Sequence, residues 1–386
     1  MESLNSRETL PSEASLQKKK WTDGLVFVIA MWLLSRLAIV VAIQLIAPLL
    51  NSSPPDYAVG SLGFLPNFVP KIGWELFSHW DGAWYRQIAI FGYDYADDGQ
   101  KHSIAFFPLF PLVTRVVMTL GLPFEVAGTL VNNLALLGAL LLLYAWAQER
   151  YGVKEAKWAT AVLALCPFSL YGTVIYTEGL FLLLTTAALR AFDRRQHIWA
   201  ALLGAMATAT RSTGIALVPA FVLVAWRERR PAIAYAASLA AASGLLLFSM
   251  YCAIRFGDFL AFVHAQKGWS QMHPSLLGIF TNLFGPDGKQ NLIRIVMLYG
   301  GSYLLWHLRN KLPLVAVAYG FCTLGLILAS GALVSINRFV YGIVSLSLAL
   351  GLLFSYHPRW GYSIMGLFAV LLVVFSLKFA WWYWVA

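Results

Sequence analysis

The sequence predicts an all-α polytopic membrane protein, and three observations carry that prediction. Of its 386 residues, 59% are hydrophobic and only 12% charged, about half the charged share of an ordinary soluble domain. Apolar stretches of about 20 residues, the length that crosses a bilayer as a helix, recur along the chain. The stretches are continuous rather than alternating, which excludes a β-barrel.

The basic residues set the order of the elements. Arg7 and Lys18 to Lys20 flank the first apolar run and place residues 1–23 as a cytoplasmic tail, with residues 24–386 forming a single membrane domain. The first run reads as a signal anchor, because it is too long for a cleaved leader and lacks a cleavage site. The stretch "NSSPPDY" then breaks the helix and opens a polar-aromatic loop, residues 51–124. Further clusters stand at "QERYGVKEAK", "DRRQH", "WRERRP", "HLRNK" and "SYHPRW", each consecutive pair leaving room for one helix out and one back. The outward turns fall near Tyr176, Arg211, the segment Arg255 to Gly288, and Ser335 to Arg338.

One segment decides the parity. "AFFPLFPLVTRVVMTLGLPFE" is short, contains proline and carries an arginine, so it is placed at the outer surface. Every basic cluster is then cytoplasmic, giving about 11 crossings with the N-terminus in and the C-terminus out. The tail "LKFAWWYWVA" fits an aromatic belt at the outer interface. The net charge of +10 is dispersed between apolar runs, which is not the footprint of a nucleic-acid binder. Cys166, Cys252 and Cys322 sit inside apolar segments at no metal or redox spacing.

The unusual polar residues gather at the outward turns. In "FSHWDGAWYRQIAIFGYDYADDG", Phe77, Trp80, Trp84, Ile88 and Phe91 share one helical face, with Asp81 and Tyr85 at its flank. The spacing predicts an amphipathic helix on the membrane that presents a carboxylate at headgroup level. Two readings of Asp81 stand open: a helix cap, or a general base whose pKa is raised by desolvation beside Trp80 and Trp84. Asp94, Asp97 and Asp98 do not make an EF-hand loop, since Ala96 and Ala105 occupy positions that need ligands. They read as a solvated turn and as secondary acidic candidates; no metal or other cofactor is expected.

Glu178 stands beside Tyr176 in the apolar run "VIYTEGLF". An acid at membrane depth is functional by default, and helix capping is the plain alternative. Arg211 and Arg338 lie between apolar runs, and "RFGDFLAFVHAQKGW" adds His264, Gln266, Lys267 and Trp269. Any one of these cations reads as snorkelling to headgroups. Together, Arg211, Lys267 and Arg338 suit a lipid phosphate, while Trp84, Tyr85 and Trp269 would shape a sugar and prenyl entrance. An acid beside a cationic clamp points to transfer from a lipid-phosphate donor. No Walker A or Rossmann fingerprint is present. A lipid or solute transporter and a catalytically inactive scaffold are the other readings.

Several stretches resemble the PIG-V family of mannosyltransferases. They are "HWDGAWYRQIAIFGY" followed by "IAFFPLFPLVTRVV", then "CPFSLYGTVIYTEGLF", "ATRSTG", "INRFVYG" and "FVHAQKGW". The resemblance implies a GT-C glycosyltransferase fold with its catalytic aspartate in the first extracytoplasmic loop, here Asp81. It further implies a polyprenyl-phosphate mannose donor, such as dolichol phosphate mannose, and inversion at the anomeric carbon. The acceptor would be a glycolipid, glycan or protein at the outer face of a bacterial plasma membrane. Where GT-C enzymes often carry two adjacent acids, Gly82 follows Asp81, leaving Asp94, Asp97 or Glu178 as candidates for the second.

Overall fold

The computed structural model describes residues 13–50, 72–270, 288–330 and 335–385. Arg7, the proline break at 51–57 and the later part of the segment 255–288 lie outside the described residues. Within them the protein is all helical. Helix α1 (Glu13–Val41) begins inside the segment assigned as a tail and continues through a π turn, Ala42–Ile46, to Leu49. A 3-10 turn, Trp74–Phe77, leads to α2 (Asp81–Phe91), α3 (Leu109–Met118), α4 (Phe124–Tyr151) and α5 (Val153–Leu165). The 3-10 segment Pro167–Gly172 precedes α6 (Glu178–Asp193), followed by α7 (His197–Thr210), α8 (Leu217–Arg227), α9 (Ala232–Ala240) and α10 (Ser243–Phe256). Beyond two short turns at Ala261–His264 and Lys267–Ser270 come α11 (Gly288–Ile295), α12 (Gly301–Leu308), α13 (Leu314–Ser330), α14 (Ile336–Tyr341), α15 (Val344–Tyr356) and α16 (Pro358–Ala380).

Among the described residues, four helical stretches are long and apolar enough to cross a membrane: Thr22–Leu49, Phe124–Tyr151, Ala232–Phe256 and Pro358–Ala380. Several shorter apolar helices pack among them. The parity-deciding segment folds as α3, only 10 residues; at 1.5 Å per residue it reaches about 15 Å, half the hydrocarbon thickness. Apolar burial drives helix association weakly in lipid, so close backbone contact has to supply it. The α5–α15 pair shows this: a Cβ on Gly351 would lie 2.5 Å from the Ala159 amide nitrogen, so only glycine permits that approach.

The bundle has two chemically different ends. At one, Arg150 pairs with Asp193, Arg194 lies 2.9 Å from Glu149, and the Arg230 guanidinium donates to the Phe192 carbonyl. The Tyr151 hydroxyl donates to the Lys311 carbonyl, and Lys311 sits over the Tyr356 ring. All five basic clusters after the first thus meet at one end. Helix α6 spans 16 residues, about 24 Å, from that end to the other, where it begins at Glu178. Helix α1 has Phe27 under Lys157 near the basic end, and its far end receives the Trp381 indole at the Ala47 carbonyl. The described part of the chain therefore runs from the basic end, at α1, to the opposite one, at Trp381.

Candidate active site

Asp81 opens α2, and the backbone just before it explains why. Trp80 has φ 56 and ψ −112, outside the helical region, so the helix cannot continue back to Phe77. This corrects the expected face: Phe77 and Trp80 precede the helix, the buried stripe is Gly82, Tyr85, Ile88 and Ala89, and Phe91 is 81% exposed. Trp80 occupies the cap position, so the Asp81 carboxylate is left for another partner. Arg338 Nη1 donates to it at 2.5 Å.

Four charges then alternate through the interior. Arg338 Nε lies 3.2 Å from Glu178 Oε1, near enough for an ion pair though not aligned as a hydrogen bond. The same Glu178 oxygen accepts from Arg211 Nη1 at 2.6 Å. The order is Asp81, Arg338, Glu178, Arg211, two acids and two cations with no net charge. Glu178 is fully buried and both arginines nearly so, while the Asp81 side chain keeps 18% of its surface exposed. Aromatic rings enclose the cations: Arg211 sits over Phe339 and Phe181, and Arg338 over Tyr176 and Tyr171. The Tyr176 hydroxyl accepts the Asp81 amide at 3.4 Å. Burial, with the Asp81 charge next, pushes the Tyr85 phenol above its ordinary value.

Two residues not singled out from the sequence hold this site in place. Asn132 of α4 donates to the Tyr171 and Val174 carbonyls, at 2.7 and 2.6 Å, and accepts the Gly179 amide at 2.8 Å. A Cβ at Gly179 would meet the Asn132 carbonyl at 2.3 Å, so glycine after Glu178 lets α6 begin against α4. Arg36 of α1 donates to the Ser169 and Ala164 carbonyls and to the Thr173 and Ser169 hydroxyls, fastening the turn before Tyr176. An arginine within the first apolar run was the available signal for the second.

The remaining candidates lie on two segments, the loop after α2 and the stretch after α10. Asp94 accepts from the Gln87 amide, the Ser103 backbone and hydroxyl, and His102 Nδ1. Partial burial opposes ionisation of Asp94, yet the Ser103 and His102 bonds hold it below the usual carboxylate range. His102 Nε2 reaches Asp98 at 2.8 Å; partial burial is outweighed by the two carboxylates, which raise the imidazole above its ordinary value. Lys267 and Asp97, both exposed, pair at 3.5 Å. His264 Nδ1 and the Tyr95 hydroxyl both meet Asp258 at 2.6 Å. Gln266 is exposed, and Trp269 packs at 5.8 Å from Trp84 and 5.9 Å from Phe106. Among the described residues, no three His, Cys, Asp or Glu side chains are grouped to hold a metal ion.

Asp81, Tyr85, Tyr176, Glu178, Arg211 and Arg338 are thus brought together, with Trp84 and Trp269 in the adjoining aromatic group. Lys267, His264, Asp94, Asp97 and Asp98 are engaged in separate pairs on those two segments.

The chain is similar to proteins of known structure and sequence. The crystal structure of ArnT from Cupriavidus metallidurans bound to undecaprenyl phosphate is similar with a TM-score of 0.53, over 88% of this chain and 62% of that one, at 15% identity. Its apo structure gives 0.51 at 14% identity. The shared fold is that of GT-C glycosyltransferases. In sequence, GPI alpha-1,6-mannosyltransferase 2 from Homo sapiens is 32% identical over 177 residues, 43% of this chain and 34% of that protein. The same enzyme from Cricetulus griseus is 30% identical over 152 residues, 36% and 30%. The chain spans about a third of the length of these curated relatives. The family model described as Mannosyltransferase (PIG-V) matches residues 24–263, which include Asp81, Glu178 and Arg211 and stop before Arg338. With more than half of its length matched, the chain belongs to the PIG-V family of mannosyltransferases.

Proposed function

We propose that the protein is a membrane glycosyltransferase that moves mannose from a polyprenyl-phosphate donor to an acceptor hydroxyl, inverting the anomeric carbon. One observation carries the reading: a partly exposed carboxylate, Asp81, is fixed by Arg338 at the end of the bundle opposite the basic clusters. Basic clusters favour the cytoplasm, which supports a site at the extracytoplasmic face, and the reading takes the membrane to be a bacterial plasma membrane. The same rule supports about 11 crossings and a single membrane domain over residues 24–386.

In this mechanism Asp81 takes the acceptor proton as the hydroxyl oxygen bonds to the anomeric carbon. The bond to the phosphate oxygen breaks, and the prenyl phosphate leaves with the electron pair. Arg338 and Arg211 supply the preorganised positive charge for the departing phosphate. Glu178 holds both guanidinium groups, and Lys267 adds a cation nearer the exposed loop. Tyr85, Tyr176, Trp84, Trp269, His264 and Gln266 shape the approach for sugar and prenyl chain. The acceptor is a hydroxyl of a glycolipid, glycan or protein. The undecaprenyl phosphate bound to the structurally similar ArnT supports a prenyl-phosphate donor.

The test is transfer from radiolabelled polyprenyl-phosphate mannose by purified protein in membranes of the source cell, beside Asp81→Asn. Label reaching a product only with the wild type supports the proposal. Near-wild-type turnover by Asp81→Asn removes Asp81 from the role of base. Silence with every prenyl-linked sugar, together with solute or lipid movement in vesicles, assigns the protein to transport.

A further inference from the structure

We infer that Phe379, Trp382 and Trp384 of the C-terminal aromatic segment are positioning residues of the catalytic site, holding His79 and Trp80 in the turn that aims Asp81. This rests on the reading of Asp81 as the base. The backbone at Trp80, with φ 56, is in a left-handed region that a bulky L-residue adopts only when its surroundings over-determine it. Those surroundings are the far end of the chain. The His79 ring is stacked on Trp382 with centroids 3.8 Å apart and on Phe379 at 5.3 Å. Its Nδ1 lies 3.0 Å from the Phe379 carbonyl, 300 residues away, an acceptor that requires a proton on that nitrogen. The Trp80 ring meets Trp382 and Trp384 edge-on, at 5.8 and 5.4 Å.

The tail is itself built to make these contacts. Trp382 has φ 62, and the amides of Trp382 and Tyr383 donate back to the Phe379 and Lys378 carbonyls at 3.1 and 2.9 Å. The Trp381 indole donates to the Ala47 carbonyl at 3.1 Å, tying the tail to α1. Phe379 also packs edge-on against Tyr176, the residue whose hydroxyl accepts the Asp81 amide. Phe379, Trp382 and Trp384 therefore brace Asp81 through the two residues before it and the tyrosine behind it. The expected belt residues Trp382 and Trp384 are turned onto the active-site strand of chain, and the segment lies beyond the residues that match the family model.

A reacting group displaced by about 1 Å costs on the order of a hundredfold in rate. Replacing the brace should therefore lower turnover without removing the substrate site. The experiment measures kcat and donor KM with polyprenyl-phosphate mannose, normalised to monodisperse protein, for Trp382→Ala, Trp382→Phe and Trp381→Ala. The expected result is a kcat loss of about tenfold or more in Trp382→Ala with donor KM within about twofold, since the loss is one of transition-state geometry. Trp382→Phe should recover most of that loss, and Trp381→Ala, which removes an indole that holds α1 instead, should keep near-wild-type kcat. Where Trp382→Ala does not fold, Trp384→Ala carries the same test through its contact with Trp80. Wild-type kcat in Trp382→Ala or Trp384→Ala overturns the inference. So does a loss shared equally by Trp381→Ala and not rescued by Phe, because that is general loosening of the tail. Absence of transfer by the wild type with every donor fails the functional reading instead and is distinguishable from both.

Discussion

Two charge networks lie close together in this molecule and are built on opposite terms. The chain from Asp81 through Arg338 and Glu178 to Arg211 is buried, and its members come from four distant parts of the sequence. The network of Asp94, Asp98 and His102 is local, within nine residues, and its carboxylates are about half exposed. Water can replace a lost partner in the second, whereas in the first only Asp81 keeps part of its surface exposed. Removing one member of a buried pair strands a charge and costs about 3–5 kcal/mol, whereas an exposed pair contributes about 0–1 kcal/mol. The buried network is therefore able to fix geometry, and the exposed one can at most tune it.

The largest effect should come from Glu178, which serves both arginines. Glu178→Ala leaves two buried guanidinium groups sharing the one carboxylate at Asp81, so stability should fall by about 3–5 kcal/mol. Thermal unfolding of the purified protein measures this, and transfer activity should be lost with it. An unchanged melting temperature would show that water or lipid headgroups reach Glu178 and would erase the contrast between the networks. Arg338→Lys sharpens the same point. A lysine is a single point charge and cannot direct a planar fork at Asp81 while lying beside Glu178. Folding should survive, while turnover falls by about a hundredfold as the carboxylate loses its orientation. If Arg338→Lys retains full turnover, charge alone suffices at that position. The third test is a cycle: Arg211→Met and Glu178→Gln together should differ from the sum of the single changes by about 0.5–3 kcal/mol, since Arg211 donates directly to Glu178. Additive changes would mean that the pair is not a unit.

The contrast also explains what the sequence could disclose. Asp81, Glu178, Arg211 and Arg338 stand out as charges in apolar surroundings, so their importance is readable residue by residue. Their pairing is not, because Arg338 and Asp81 are 257 residues apart and nothing local encodes a contact of that range. The helical period at Phe77 to Phe91 is readable and misleads by four residues, because the tail packing on His79 and Trp80 starts the helix only at Asp81. The shortness of helix α3 is legible from its prolines and length, while Asn132 is hidden because an asparagine in an apolar run carries no charge to mark it.

The smallest effects belong to the loop, and they test whether it touches the reaction. The His102 imidazole is raised above its ordinary value in the folded protein, so its protonated form is the one favoured by folding. Its contribution is then full below the ordinary value of about 6.5 and is lost as pH rises through the raised folded value. Protease nicking within residues 94–106 should increase across that rise, and His102→Asn should flatten the dependence; nicking that increases instead on acidification would reverse the sign and remove the imidazolium from the loop's support. Lys267 and Asp97 should matter least. They are both exposed, salt screens them, and such a pair contributes about 0–1 kcal/mol. Asp97→Asn should leave melting and turnover near wild type. Lys267→Ala should raise the donor KM only slightly and only at low salt, because its charge acts on the phosphate from a distance. A large rise in donor KM that persists at high salt would put Lys267 in contact with the phosphate, which would join the exposed loop to the buried site as one catalytic unit.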